Sequence, residues 1–273
     1  MNYRHAYHAG NFADVLKHAV LVWTVRYLQQ KPGSLCLIDT HGGAGIYDLR
    51  GGAAKKTDEA SGGIVRLAAA PDVPGVFGPY LDLVSQENGP GAVVRYPGSA
   101  VLMARMLRER DRAVIGELHP EDAAELRRTL RGQERVRVVE GDGYGLLLRS
   151  APPPEKRGLV LIDPPFEATD EFETLARSLI AAQARWETGV YLVWYPIKDR
   201  RAVERFHAEL ANAQIAKMVE MTLDVGGEEG LTACGLLAIN APWTLEQEWR
   251  APLEWLARTL SKSAKAVAGI AAL

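Results

Sequence analysis

The segment Asp163-Pro164-Pro165-Phe166 carries the clearest chemical signal in this sequence of 273 residues. It follows the apolar run Gly158 to Ile162, which is typical of a buried parallel strand, so Asp163 is predicted at the carboxyl end of a strand. Ligands of open α/β sheets bind outside those ends. The two prolines restrict the loop and remove two amide donors, which leaves carbonyl oxygens free to accept. A carboxylate, the Pro164 carbonyl and the Phe166 ring together suit a nucleobase held by its exocyclic amine and its face. The structural alternative is a proline-rich strand exit with a helix-capping acid.

Three more acids follow predicted strands, namely Asp39, Glu117 and Asp142. Asp39 opens the glycine-rich string Asp39-Thr40-His41-Gly42-Gly43-Ala44-Gly45, which lacks the third glycine of a dinucleotide-binding turn and so favours S-adenosylmethionine. Glu117 is placed to accept ribose hydroxyls and Asp142 to accept from an adenine amine. Each acid alone is explained as well by a helix start, and the glycines by a tight turn. Four acids at strand ends, however, predict one ligand that crosses several strand tips.

The apolar pattern predicts strands that alternate with helices, which is typical of βαβ units and a parallel sheet. A first helix is expected from the cap Asn11 to about Lys31, before the first strand. A hairpin around residues 226–230 predicts an antiparallel ending. The predicted strands are 35–39, 113–117, 136–140, 158–163, 189–195, 217–225 and 231–240, and the predicted helices between them are 99–112, 121–130, 170–184 and 199–211.

The interval 46–97 interrupts this alternation. It is rich in Gly, Ala and Pro, and helical patterns occur near Ser61 to Ala70 and Pro79 to Gln86. So long a connection is unusual as unstructured chain in a compact domain. We therefore predict one domain over residues 1–273, with a helical insertion over 46–97 above the carboxyl edge of the sheet.

Composition limits the class of protein. The net charge of −2 argues against a generally basic nucleic-acid binder, although eleven arginines fall within residues 95–149, where nine acids accompany them. Cys36 and Cys234 lie in apolar runs and are expected to be buried reduced thiols. The sequence has neither a charge-free apolar stretch of membrane-spanning length nor a signal-peptide core, so we expect a cytoplasmic protein without a membrane partner.

With these residues laid out, the chain resembles class I methyltransferases that modify exocyclic amines of nucleobases. At the N-terminus, Tyr3-Arg4-His5-Ala6-Tyr7-His8-Ala9-Gly10-Asn11-Phe12-Ala13-Asp14-Val15-Leu16-Lys17-His18 is similar to the opening of the RlmJ family. That family makes N6-methyladenine at position 2030 of bacterial 23S ribosomal RNA. The similarity continues through Asp39 to Gly45, Tyr96-Pro97-Gly98-Ser99, Glu117-Leu118-His119-Pro120, Asp142-Gly143, Asp163-Pro164-Pro165 and Trp194-Tyr195-Pro196.

The resemblance implies a Rossmann-like domain with an inserted helical subdomain, S-adenosylmethionine as cofactor and 23S ribosomal RNA as partner. It implies Asp163 as the catalytic acceptor and the N-terminal tail, residues 1–10 with Tyr3 and Arg4, as a contact to the RNA. One departure is visible, because the fourth residue of the catalytic loop, often Tyr in the family, is Phe166. The cofactor site would be lined by Lys17, His18, His41, Ser99, Glu117, Asp142, Gly143 and Asp163.

The chemistry expected of this site is methyl transfer to adenine N6, with Asp163, the Pro164 carbonyl and Phe166 holding the base. The same loop serves guanine N2 in ribosomal RNA or adenine N6 in DNA, and these remain alternatives. A second alternative is a nucleotide-binding or RNA-binding module without catalysis. No histidine, cysteine and acid spacing completes a metal site, so no metal is expected, and nothing in the sequence indicates more than a monomer.

Overall fold

The computed structural model describes residues 5–89, 91–228 and 230–273. Tyr3 and Arg4, the two residues predicted to contact RNA, lie outside the described residues.

A single eight-stranded sheet forms the centre of the molecule. Its strands are β1 (Cys36–Asp39), β4 (Arg112–Glu117), β5 (Val136–Glu140), β6 (Gly158–Ile162), β7 (Val190–Pro196), β8 (Met218–Asp224), β9 (Ala233–Ile239) and β10 (Val267–Ala272). The strand order is β10-β8-β9-β7-β6-β1-β4-β5. Five neighbouring strands are parallel, namely β5, β4, β1, β6 and β7. The remaining pairs, β7 with β9, β9 with β8 and β8 with β10, are antiparallel. The mostly parallel α/β sheet with an antiparallel C-terminal hairpin, predicted from the sequence, is confirmed.

Helices cover both faces of this sheet, so the central strands are apolar on both sides. All five residues of β6 are buried. The helices are α1 (Phe12–Gln29), α2 (Gly52–Thr57), α3 (Ile64–Ala69), α4 (Gly78–Ser85), α5 (Ser99–Met106), α6 (Pro120–Thr129), α7 (Gly143–Ser150), α8 (Glu171–Arg185), α9 (Arg200–Asn212) and α10 (Leu245–Leu260).

Helix α1 begins where the sequence predicts. The Asn11 side chain accepts hydrogen bonds from the amides of Ala13 and Asp14, both at 3.0 Å, which satisfies two donors of the first turn. The helix is almost entirely buried, because it lies between the sheet and the interval 46–97. Its N-terminal turn lies at the carboxyl edge of the sheet, where Lys17 reaches Asp163.

The interval 46–97 is tied at its base by a two-stranded antiparallel ribbon of β2 (Ile46–Asp48) and β3 (Arg95–Pro97). The Gly98 amide donates to the Gly45 carbonyl at 2.7 Å, which joins the two ends of the interval. Helices α2, α3 and α4 lie between the strands of the ribbon, near the helical patterns of the sequence. Phe77 packs edge-on against Trp249 of α10, with ring centroids 5.4 Å apart, so this interval shares the main core.

Two predictions about the elements were wrong or incomplete. The helix predicted to Arg112 ends at Met106, because Arg112 starts β4 and pairs with Cys36 of β1. Between them, the Asp111 carboxylate accepts from the Leu35 amide at 2.9 Å and from Arg108 Nε at 2.8 Å, which fixes a turn. Sequence analysis also missed α7, α10 and the edge strand β10. Because β10 pairs with β8, the hairpin lies inside the sheet and not at its edge.

The cysteine prediction is confirmed, since Cys36 and Cys234 are free and buried. Within the described ranges, no helix is long and apolar enough to cross a membrane. The same residues contain no cluster of three or more His, Cys, Asp or Glu side chains that could hold a metal ion.

Candidate active site

The predicted acids converge at the carboxyl edge of the sheet. Strand β1 lies between β4, the next parallel strand along the chain, and β6, so the chain changes direction across the sheet at β1. A crevice opens outside the strand ends at such a point. Asp39 ends β1, Glu117 ends β4 and Asp163 follows β6; Glu117 and Asp163 line this crevice, and Asp39 is buried beneath it.

Two neighbouring cavities occupy the crevice, and we call them the inner chamber and the outer chamber. The inner chamber is lined by Lys17, His18, His41, Gly42, Gly43, Tyr47, Gly98, Ser99, Glu117, Leu118, His119, Asp122, Asp163, Pro164 and Pro165. The outer chamber is lined by His8, Asn11, Ala13, Asp14, Lys17, Glu59, Asp163, Pro165, Phe166, Glu167, Trp194, Pro196, Lys198, Gly230 and Leu231. Lys17, Asp163 and Pro165 belong to both linings, so Asp163 lies in the wall between the chambers.

The two chambers differ in size. The outer chamber has a volume of about 460 Å³, which is within the range of small-molecule pockets. The inner chamber has only about 70 Å³, and the Tyr47 side chain lies over its glycine loop, with the hydroxyl accepting from the Ala44 amide at 3.1 Å. A nucleoside-sized ligand in the inner chamber therefore requires its side chains to move apart.

A buried ion network holds Asp163. Lys17 Nζ donates to Asp163 Oδ2 and, at 2.8 Å, contacts Asp14 Oδ1 one turn earlier in α1. Only 4 % of the Lys17 side chain is exposed. Burial alone would lower the pKa of Lys17, but the two carboxylates outweigh it and the pKa is raised, so the ammonium stays charged. Lys17 Nζ also lies 5.8 Å from the centroid of Trp194.

His18 is fixed by a chain of buried hydroxyl groups. Its Nδ1 lies 2.6 Å from the Tyr96 hydroxyl, which lies 2.8 Å from the Tyr80 hydroxyl. Burial raises the pKa of both phenols, so both remain neutral donors. Tyr80 comes from α4 and Tyr96 from β3, and the interval 46–97 therefore sets the orientation of a residue that lines the inner chamber.

Asp39 supports the inner chamber from below and does not line it. It is fully buried, and its Oδ1 accepts from the His41 amide at 3.2 Å. Its Oδ2 has no hydrogen-bond partner among the described residues. Burial raises the pKa of Asp39 to about 6, because it outweighs the nearby Ser99 hydroxyl and the His41 amide, which favour the charged form. Burial likewise lowers the pKa of His41 to about 4, so the imidazole in the chamber is neutral near pH 7.

Glu117 closes the opposite wall. Its carboxylate accepts from the Gly43 amide at 2.8 Å and from the His119 amide at 2.7 Å, which fixes it against the glycine loop. Gly43 has φ +61°, and a Cβ there would lie 2.0 Å from the Tyr47 hydroxyl, so any other residue would be strained and would displace Tyr47. The carboxylate keeps free lone pairs that can accept ribose hydroxyls.

Asp142 and Gly143 are placed differently from the other predicted cofactor residues, since neither lines the inner chamber. Asp142 caps α7 by accepting from the amides of Tyr144 at 3.2 Å and Gly145 at 2.7 Å. Gly143 packs under the loop after β1, where a Cβ would lie 2.4 Å from the Thr40 carbonyl oxygen. Gly143 borders His41, whose ring meets Tyr144 edge-on, and the charge of Asp142 acts on the His41 ring. Their contact with a cofactor stays a prediction.

Phe166 projects into the outer chamber. Its φ of +51° is unusual for a non-glycine residue and indicates a backbone held by its surroundings. The ring meets Phe172 at a centroid distance of 4.8 Å and Trp194 at 6.0 Å. Phe166, Trp194 and the flanking prolines give this chamber flat apolar walls that suit a base.

The mouth of the outer chamber is a hydrogen-bonded junction between the N-terminal segment and the interval 46–97. His8 Nδ1 lies 2.8 Å from Glu59 Oε1, and Asn11 Nδ2 donates to Glu59 Oε2 at 2.9 Å. The Ile64 amide also donates to the Gly10 carbonyl at 2.8 Å. The hydrogen bond with Glu59 and its charge raise the pKa of His8, which favours an ion pair.

Sequence reasoning missed several residues of this site. Asp14 was named only within the N-terminal string, although its spacing of three from Lys17 allows an ion pair on one helical face. Sequence analysis named Tyr96 and Trp194 only within the strings that carry the family resemblance and gave neither a role in the site. Glu59 gives no local signal, because its partners are 48 and 51 residues away.

The chain is similar to known proteins over most of its length. The model of the family described as "RsmJ: Ribosomal RNA large subunit methyltransferase D, RlmJ" matches residues 32–269. Two relatives named "Ribosomal RNA large subunit methyltransferase J" are each 37% identical to this chain. The one from Escherichia coli K12 aligns over 94% of this chain and 92% of its own, and the one from Haemophilus influenzae over 95% and 94%. A crystal structure of a Legionella pneumophila protein has a TM-score of 0.90 and 34% identity, and covers 97% of this chain and 98% of its own.

Proposed function

The chain belongs to the RlmJ family of ribosomal RNA large subunit methyltransferases, and on this premise we propose that it transfers a methyl group from S-adenosylmethionine to adenine N6 in 23S ribosomal RNA. The family resemblance favours position 2030 of that RNA. The proposal includes the expected cellular location, the cytoplasm, where ribosomal RNA is made and modified.

One observation carries the proposal, namely that Asp163 lies in the wall shared by two chambers of different chemistry. The inner chamber has a glycine loop and a carboxylate fit for ribose hydroxyls, as a nucleoside cofactor requires. The outer chamber has aromatic and proline walls, as a stacked base requires. A transferase needs its two substrates to meet at one reactive group, and Asp163 is placed for that role.

In the inner chamber, Lys17, His18, His41, Ser99 and Glu117 would hold the cofactor, with Asp142 and Gly143 at its border. The residues fit this group, because Glu117 presents a charged acceptor and the loop at Gly43 permits close approach. When bound, S-adenosylmethionine supplies an activated methyl group on a sulfonium.

Asp163 in the shared wall and the Pro164 carbonyl beside the inner chamber would accept the two N–H bonds of an adenine amine that enters from the outer chamber. This favours a tetrahedral nitrogen, whose lone pair is otherwise delocalised into the ring. Phe166 would stack on the base and fix its direction of approach, and such orientation is worth roughly 7–11 kcal/mol. Asp163, or water beside it, would then take the proton that the methylated amine loses.

The N-terminal tail, residues 1–10, would contribute Tyr3 and Arg4 to RNA binding. Its described part is held by the interval 46–97 through Glu59, at the mouth of the chamber that would receive the base. We assign that interval, within the single domain 1–273, the role of anchoring this tail.

Methyl transfer to ribosomal RNA tests the proposal. Purified protein is incubated with labelled S-adenosylmethionine and 23S ribosomal RNA that lacks the modification, and the product is digested to nucleosides. N6-methyladenosine, mapped to position 2030, is the expected product. N2-methylguanosine, or transfer only to DNA, would assign the loop to another amine, and binding of RNA without any transfer would leave a non-catalytic module.

A further inference from the structure

Asp14 is the most deeply placed acid of the outer chamber, and no part of the proposed chemistry uses it. Only 2% of the surface of Asp14 is exposed to solvent. Its Oδ1 contacts Lys17 Nζ at 2.8 Å, and its Oδ2 accepts from the Gly10 amide at 2.9 Å. Asp14 therefore connects the N-terminal segment to the lysine that holds Asp163.

The network is unbalanced in charge. Two carboxylates, Asp14 and Asp163, share the single ammonium of Lys17, so the three groups carry a net charge of −1. Burying a third charge is costly, and one acid would suffice to neutralise the lysine. With Lys17 and Asp163 alone the site would be neutral. Because Asp14 is present, Lys17 is shared between two carboxylates, and the cluster keeps one negative charge at the wall between the chambers.

We propose that Asp14 is a positioning residue that sets the net charge of the cluster of Asp14, Lys17 and Asp163 to −1, so that this cluster favours a cationic methyl donor over its neutral product. This inference rests on the proposed function. During transfer the new N–C bond uses the amine lone pair, and the pair of the broken S–C bond stays on sulfur. The positive charge thus passes from sulfur to nitrogen beside this network, and it leaves with the amine proton.

The relative affinity for S-adenosylmethionine and S-adenosylhomocysteine tests the inference, because the two ligands differ in one methyl group and one positive charge at sulfur. Asp14→Asn keeps the shape and the acceptor toward the Gly10 amide, and it removes one negative charge. We expect the ratio of the affinity for S-adenosylmethionine to the affinity for S-adenosylhomocysteine to fall about fivefold or more. A purely structural role would weaken both ligands equally and leave the ratio unchanged, which would overturn the inference.

Asp111→Asn is the matched control. Asp111 is equally buried and pairs with Arg108, but it lies in the turn before β4 and lines neither chamber. Its loss should lower stability and leave the affinity ratio within about twofold of wild type, since a charge beyond the site is screened.

A charge-restoring variant keeps the inference testable if Asp14→Asn alone fails to fold. Asp14→Asn with Lys17→Met returns the network to −1, and Lys17→Met alone takes it to −2. The ratio should recover to within about twofold of wild type in the double variant and exceed it in the single one. The inference would be refuted if the affinity ratio depended on which residue is replaced and not on the net charge of the cluster. Failure of the wild-type protein to bind either ligand would instead refute the proposed function.

Discussion

The inner and outer chambers share a wall, yet they are built by different parts of the chain. The inner chamber is formed mainly by strand ends and the loops that directly follow them, at β1, β4 and β6. The outer chamber collects the N-terminal segment, Glu59 of the interval 46–97, the end of β7 and the hairpin loop at Gly230 and Leu231. One chamber is a product of sheet topology, and the other is an assembly of distant segments.

This difference separates the two halves of the proposed reaction. In the inner chamber, backbone amides of the loops that follow the strands hold Glu117, and the hydroxyls of Tyr96 and Tyr80 hold His18. Side-chain bonds across about fifty residues fix the mouth of the outer chamber, as at Glu59. Substitutions should therefore divide into those that change cofactor binding and those that change RNA binding, with Asp163 affecting both.

The largest effect is expected for Asp163→Ala, the residue common to both chambers. Transfer to RNA should fall by at least about 10³-fold, since acceptor and proton-transfer roles are lost together. Lys17 keeps Asp14 as a partner, so thermal unfolding should show a folded protein. Near-normal single-turnover rates in this variant would remove the loop from the catalytic centre.

Glu117→Ala tests the inner chamber alone. The variant leaves the ribose hydroxyls and the amides of Gly43 and His119 without their acceptor. The affinity for S-adenosylmethionine, measured by calorimetry, should therefore fall about 10- to 100-fold, while the affinity for RNA stays unchanged. Glu140→Ala is the control, because Glu140 pairs with Glu117 in the register of β4 and β5 but is half exposed and bonded to Arg127. Equal cofactor affinities in the two variants would return Glu117 to a purely structural role.

Tyr3→Ala tests the RNA side. A tail with aromatic and basic residues suits unpaired nucleotides, where stacking is worth about 1–3 kcal/mol per base. Methylation of ribosomal RNA should fall about 5- to 100-fold, while cofactor affinity and the unfolding temperature stay at wild-type values. A parallel loss of cofactor affinity would place Tyr3 in the inner chamber instead.

The smallest effect is expected at the Glu59 junction, and it depends on pH. The hydrogen bond and charge of Glu59 raise the pKa of His8 above 6.5, and the pKa of Glu59 is lowered below 4.5 because the hydrogen bonds from His8 and Asn11 outweigh its burial. The ion pair is therefore complete between those values and is lost as pH rises through the raised pKa of His8. The KM for RNA should rise about threefold across that upper range.

Glu59→Gln should abolish this pH dependence. Glu87→Gln is the control in the same interval, because Glu87 pairs with Arg105, which does not titrate in that range. A wild-type KM that is flat with pH would show that the junction does not govern RNA binding.

Sequence patterns predicted most of the fold because its strongest signals are local. The buried run at β6 and the cap at Asn11 depend on neighbouring residues, and both stand where predicted. The prediction of a helix over residues 107–112 was wrong because the helical pattern there competes with the pairing of Arg112 to Cys36. No local pattern reveals that pairing. The edge strand β10 was missed since its small residues, such as Gly269 and Ala271, carry little strand signal.

The candidate site divides in the same way. Strand-end acids such as Glu117 and Asp163 could be located from the sequence, since parallel strands bring their carboxyl ends to one edge. The partners of Lys17 and His18 could not, because Tyr96 and Asp163 reach them across 78 and 146 residues. Their roles toward cofactor and RNA stay predictions.

The burial of Asp39 has a consequence for how the protein trades stability against activity. Its pKa is raised from 3.8 to about 6, so the folded state binds the proton more tightly, and stability falls as pH rises between these values. Near pH 7 the full penalty, on the order of 3 kcal/mol, is present. Asp39→Asn should therefore give a more thermostable protein with weaker binding of a cationic cofactor. The Asp39 carboxylate therefore lowers the folding stability near pH 7, and its replacement would exchange that penalty for a weaker attraction of positive charge in the inner chamber.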